Sequence, residues 1–332
     1  MRSVLHACRV WFSAAVVGVC ATFVHAEPLK IAYSDWPGWS TFDVAKEKGF
    51  FKEAGVDVEL VWMEYLPSME AFAAGKADAV VMTNGDAMVT GATGKPGKCI
   101  MLTDYSNGND MIVGKPGINS FKDLKGKKVG LELNLVENLL FLKGLETNGM
   151  SEKDVTLVNV PTNDTPQALA SGGVDAIGAW YPVAGQAIKQ VAGSKALFTG
   201  ADVKGLIYDG LYVAPESLAK HREDWKKVIK AYLKTVEFIK APATREEAIK
   251  IMAAHVQVNP KAYAKNLDGT YLLNLEENIK YLTKGDGLDS VYGSSKVANE
   301  FNVKHAVYKD SQSVDSYFDT SLIKELAAEM KK

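Results

Sequence analysis

The residues best placed to do chemistry in this sequence are acids and aromatics. Six windows, 31–45, 83–94, 105–113, 130–142, 177–188 and 205–219, contain no Lys or Arg. They carry Asp35, Asp43, Asp86, Asp110, Glu132, Glu137, Asp209 and Glu216, with Trp36, Trp39, Trp180, Tyr181 and Tyr208 among them. An oxyanion is normally held by an Arg fork, a Lys or helix N-terminal amides, and these windows supply only amides. A flat cation fits better. Guanidinium is permanently charged, presents donors in a fork that matches a carboxylate, and stacks on aromatic faces. The expected ligand contacts are Asp35, Trp36, Asn84, Asp86, Asp110, Glu132, Trp180, Tyr208 and Asp209. Asp35 and Asp86 also read as helix caps, because both precede helical stretches.

Catalytic chemistry is harder to find. Beyond residue 26 the histidines are His221, His255 and His305, far apart in sequence, and Cys99 stands alone. There is no metal-ligand spacing, no Gly-x-Ser-x-Gly elbow and no Gly-rich phosphate loop. The reading is therefore a non-enzymatic binding protein with no cofactor and no metal.

Something must bring these windows together. In open α/β lobes ligands sit outside the carboxyl ends of the strands. Strands are expected at Leu29 to Tyr33, Asp57 to Trp62, Ala79 to Met82, Lys127 to Leu131, Val155 to Val160, Asp175 to Ala179 and Tyr208 to Val213, alternating with amphipathic segments. That alternation predicts an α/β fold with mostly parallel sheets. An internal repeat predicts two lobes. Ala71-Phe72-Ala73-Ala74-Gly75-Lys76-Ala77-Asp78-Ala79 parallels Ala168-Leu169-Ala170-Ser171-Gly172-Gly173-Val174-Asp175-Ala176, and Lys30-Ile31-Ala32 parallels Lys128-Val129-Gly130. Asp78 and Asp175, between a helix end and a strand, read as structural in both copies. Trp62 and Trp225 read as core. From about residue 216 the chain turns helical, with one helix running from Pro215 toward Ile239. Crossings near 110 and 206 form a hinge, dividing the chain into lobe 1 (27–110 plus 207–332, with the C-terminal helices) and lobe 2 (111–206).

The first 26 residues read as a cleavable signal: Arg2 and Arg9, an apolar stretch from Val10 to Val24, and the small-residue exit Val24-His25-Ala26. Val19 before Cys20 argues against lipid attachment. Export leaves 36 Lys plus Arg against 40 Asp plus Glu, about −4, which favours neither nucleic acid nor an anionic membrane. A freely soluble, monomeric periplasmic protein with no direct membrane insertion is expected.

Ile31-Ala32-Tyr33, Gly49-Phe50-Phe51-Lys52-Glu53-Ala54-Gly55-Val56, Ala73-Ala74-Gly75-Lys76-Ala77-Asp78-Ala79 and Asp123-Leu124-Lys125-Gly126-Lys127-Lys128-Val129-Gly130 resemble the type II periplasmic binding proteins of the nitrate/sulfonate/taurine group. The likeness spans essentially the whole exported chain. It implies the solute receptor of an ABC importer, with an inner-membrane permease and an ATPase as partners. A narrower likeness, to members found beside urea-carboxylase-type genes and associated with guanidine, rests on Tyr33-Ser34-Asp35-Trp36-Pro37-Gly38-Trp39, Thr83-Asn84-Gly85-Asp86-Ala87 and Gly285-Asp286-Gly287-Leu288-Asp289-Ser290. The parent group implies taurine, an aliphatic sulfonate, urea or nitrate; the subgroup implies a small cation. Two other classes stay open, a ligand sensor and a thiamine-precursor enzyme, although the Cys- and His-rich site of the latter has no counterpart here.

Overall fold

The structure, a computed structural model, describes residues 27–330. The expected signal segment, with Cys20, lies outside the described residues. Strands follow in the order β1 (Leu29–Tyr33), β2 (Val58–Trp62), β3 (Ala79–Thr83), β4 (Lys98–Ser106), β5 (Asp110–Gly114), β6 (Lys128–Leu131), β7 (Thr156–Asn159), β8 (Ala176–Trp180), β9 (Lys195–Thr199), β10 (Tyr208–Val213) and β11 (Thr270–Leu272). They form a six-stranded sheet, β11-β4-β10-β3-β1-β2, and a five-stranded sheet, β7-β6-β8-β5-β9.

The repeat is real at atomic level. Asp78 Oδ2 accepts from Lys30 N at 2.9 Å and Asp175 Oδ2 accepts from Lys128 N at 2.9 Å. The backbone answers in both copies, Asp78 N donating to Lys30 O and Asp175 N to Lys128 O. Each acid thus fastens the strand after its helix to the first strand of its own unit. Gly75 and Gly172 end those helices with φ of 71° and 76°, a left-handed stop that suits glycine.

The sheets are mixed rather than mostly parallel. Within each repeat the strands are parallel, β1 to β2 and β3, and β6 to β7 and β8. The strands at the crossings, β10 beside β3 and β4, and β5 beside β8 and β9, are antiparallel. The cause is connectivity. Only residues 107–109 separate β4 from β5, so the chain enters the second sheet at the edge where it left the first. Starting there, β5 places Asp110 opposite Trp180, the last residue of β8, and so runs against it.

Two local expectations also change. The helix expected from Pro215 to Ile239 is two, Pro215–Lys220 and Arg222–Lys240, broken at His221. Trp225 is fully buried, but Trp62 is 47% exposed, because it ends the edge strand β2. Among the described residues no helix is long and apolar enough to cross a membrane.

Candidate ligand-binding site

The parallel strands and their antiparallel partners deliver side chains to one common edge. Thr83 and Trp180 end β3 and β8, Trp36 follows β1, Asp110 begins β5 and Asp209 is the second residue of β10. Register sets them side by side: Asp209 lies opposite both Thr83 and Asp104, and Asp110 opposite Trp180. Between the two sheets is a small hollow of about 10 Å³, lined by Trp36, Trp39, Tyr65, Thr83, Asp110, Val136, Trp180 and Asp209. About one water fits a space of ~10–15 Å³, and usual ligand pockets run to ~300–1,000 Å³, so even a ligand of a few heavy atoms has to part these walls slightly.

Two indoles orient two of the acids. Trp36 Nε1 donates to Asp104 Oδ1 at 2.7 Å and Trp39 Nε1 to Asp209 Oδ1 at 3.2 Å. The second oxygens of Asp104, Asp209 and Asp110, and both oxygens of Glu137, are buried with no donor in reach. Leaving a buried carboxylate in that condition costs several kcal/mol unless it takes up a proton or meets a cation. Protonation is visible in the acidities. Burial pushes Asp86 and Asp104 up to about 7 and Asp110 up to about 6. Asp209 is held well above the carboxylate range by burial and then by the charge of Asp104, and Glu137 by burial and then by Asp110. Glu137 finds a partner only by taking a proton and sharing it with Asp110. Asp104 and Asp209 share one in the same way.

Of the nine residues singled out from sequence, Trp36, Asp110, Trp180 and Asp209 line this cavity. Asp86 stands behind Tyr65, accepting from its hydroxyl at 2.8 Å. It is not a helix cap: Thr83 fills that role, accepting from Asp86 N at 3.1 Å. Asp35 accepts from Trp180 Nε1 at 3.3 Å. Glu132 lines a second hollow of about 10 Å³ with Ser34, Glu64, Tyr65, Thr162, Asn163 and Trp180. Two residues are placed elsewhere. Asn84 is fully engaged in structure, its Nδ2 donating to Ser294 and Ser295 Oγ and its Oδ1 accepting from Tyr208 N. Tyr208 donates to Leu288 O at 2.8 Å and lines a different hollow with Tyr105 and Tyr281. In β10 it neighbours Asp209 and so points to the opposite face. Asp104, Tyr65, Trp39 and Glu137 complete the cluster without having been among the nine.

This architecture is that of a two-lobed periplasmic binding protein. SsuA, the periplasmic aliphatic sulphonate binding protein from Escherichia coli, superposes with a TM-score of 0.72 at 18% identity, over 90% of this chain and 100% of SsuA. The periplasmic nitrate-binding protein NrtA from Synechocystis PCC 6803 gives 0.72 at 14% identity, over 92% and 89%. The family model described as NMT1/THI5 like matches residues 36–244, and the chain belongs to that family. In sequence it is 26% identical over 262 residues to a protein of Brucella abortus (strain 2308) named as a binding protein, covering 78% of this chain and 81% of the relative.

Proposed function

We propose that this protein is the exported receptor of an ABC importer and closes two lobes, 27–110 plus 207–332 and 111–206, around a small planar cation, guanidinium being the best match. The observation that carries the reading is a group of buried carboxylate oxygens without a partner, those of Asp110 and Asp209 lining a hollow that has no Lys or Arg and those of Asp104 and Glu137 lying behind it. The indoles of Trp36, Trp39 and Trp180 frame the same space. Hydrogen bonds to a charged group contribute ~1.5–3 kcal/mol each, and a desolvated cation–π contact ~2. The likeness to SsuA and NrtA, at 18% and 14% identity, establishes the fold without transferring a ligand. The amides that open the helices Asn84–Ala92 and Val136–Thr147 favour an anion, but five buried acids, Asp86, Asp104, Asp110, Asp209 and Glu137, oppose it. Export is supported by residues 1–26 and by the periplasmic relatives.

A thermal-shift panel of guanidinium, urea, taurine, nitrate and an alkanesulfonate tests the proposal at micromolar to low millimolar concentration, far below the denaturing range. Guanidinium should raise the melting temperature where matched potassium salts do not, since specific binding stabilises by mass action. Asp209→Asn and Asp110→Asn should each weaken binding by at least ~1.5 kcal/mol. Stabilisation by nitrate or a sulfonate, with none by guanidinium, would return the protein to an anion receptor.

A further inference from the structure

Tyr65 and Trp180 belong to two cavities at once. They line both an inner and an outer hollow, each of about 10 Å³. Their rings meet edge to face, centroids 5.4 Å apart at 84°, which leaves no gap between them for a chain of atoms. Each is held in place. The Tyr65 hydroxyl donates to Asp86 and accepts from Thr83 N at 3.0 Å, and its ring packs on Trp39 at 5.2 Å. The Trp180 indole donates to Asp35. Tyr65 comes from the six-stranded-sheet unit and Trp180 from β8 of the other, so the wall assembles only where the two units meet.

The two sides differ in what they can hold. Inside, the unpartnered oxygens of Asp110 and Asp209 and the indole faces converge on the hollow that a bare planar cation would enter. Outside, the walls are polar, with Ser34, Thr162, Asn163 and the acids Glu64 and Glu132; Glu132 Oε2 is buried without a donor. We propose that Tyr65 and Trp180 are the specificity-determining partition of this site: they admit an unsubstituted guanidinium and exclude its N-alkyl derivatives, and opening the wall at Trp180 lets a substituent pass into the outer chamber. This rests on the cation reading above. A methyl group on the ligand has to enter an occupied ring position, whereas a cation carrying a second ammonium finds Glu64 and Glu132 waiting once the ring is gone.

Calorimetric titration of the full exported chain with guanidinium, methylguanidinium and agmatine tests it. One methylene changes binding ~10- to 200-fold where a pocket discriminates it. The wild-type protein should take methylguanidinium at least ~30-fold more weakly than guanidinium, with agmatine weaker again. Trp180→Ala should bring that ratio near unity and make agmatine a ligand. Trp180→Phe, which keeps a ring but loses the bond to Asp35, should retain the discrimination. If Trp180→Ala does not fold, Trp180→Leu carries the same expectation. Equal wild-type affinity for guanidinium and methylguanidinium overturns the partition, as does unchanged discrimination in a folded Trp180→Ala. Failure of guanidinium itself to bind the wild-type chain overturns the cation reading, and the partition falls with it.

Discussion

Asp104 and Asp209 each offer one oxygen to an indole N–H and leave the other facing no donor. Directly opposite on neighbouring antiparallel strands, they are a like-charge cross-strand pair, which is destabilising unless something positive intervenes. A proton shared between them does so, as their raised acidities indicate. Asp86, Asp104 and Asp110, all raised by burial to about 7, 7 and 6 from 3.8, bind more protons folded than unfolded between those values. Stability therefore falls as pH rises through roughly 4 to 7. Surface acids held low by lysines, such as Glu329 lowered from 4.5 to about 2, add stability that rises with pH only to about 5, so above that the fall stands alone. The unliganded protein should melt at a higher temperature at pH 5 than at pH 8, and guanidinium should flatten the difference. Because protons and ligand compete for the same oxygens, affinity should rise with pH and calorimetry in buffers of differing ionisation enthalpy should detect proton release; tighter binding at pH 5 would contradict this. Asp110 and Asp209 could be read from sequence because they stand at the two expected chain crossings, in stretches free of basic residues. Asp104 could not, lying in a strand that was not foreseen, behind the apolar run Cys99 to Leu102. One acid ending an otherwise apolar run was the available signal.

At the scale of elements, the repeat was legible because the same physical task recurs. A helix must stop, turn through a left-handed glycine and enter a strand, and an aspartate at the entry fastens the neighbouring strand. The antiparallel strands β4, β5, β9 and β11 had no such marker, and their direction depends on which sheet the chain enters next, a tertiary matter. The fastening has a measurable consequence. Asp78→Ala leaves Lys30 N, which is partly buried, without its side-chain acceptor and should cost about 1–2 kcal/mol in urea unfolding. Asp175→Ala should cost less, since Lys128 is exposed and the Lys115 pair beside it is partly solvated. Neither residue touches the cavity, so ligand affinity in both variants should stay within about twofold of wild type. A large affinity loss in Asp78→Ala would mean that the helix-to-strand junction shapes the site.

At the scale of the molecule, the buried acids in and around the cavity come from both units. Asp86, Asp104 and Asp209 belong to the six-stranded-sheet side, and Asp110 and Glu137 to the five-stranded side. They act on one another across the divide: Asp110 raises Asp104 and Asp209, and Asp86 raises Glu137. The units meet through ring contacts, Tyr65 on Trp180 and Tyr181 on Tyr263, and through hydrogen bonds, Trp180 to Asp35, Asn163 to Glu64 at 3.4 Å, and His305 to Glu152 at 3.2 Å. With the lining free of Lys and Arg, ionising these carboxylates drives the two units apart, and a bound cation or added protons draw them together. Small-angle scattering should therefore show a smaller radius on adding guanidinium at pH 8. At pH 5 the unliganded protein should already be more compact than at pH 8, and guanidinium should change it less. A radius that responds to neither pH nor guanidinium, in protein shown by calorimetry to bind it, would exclude charge as the force that closes the clamp.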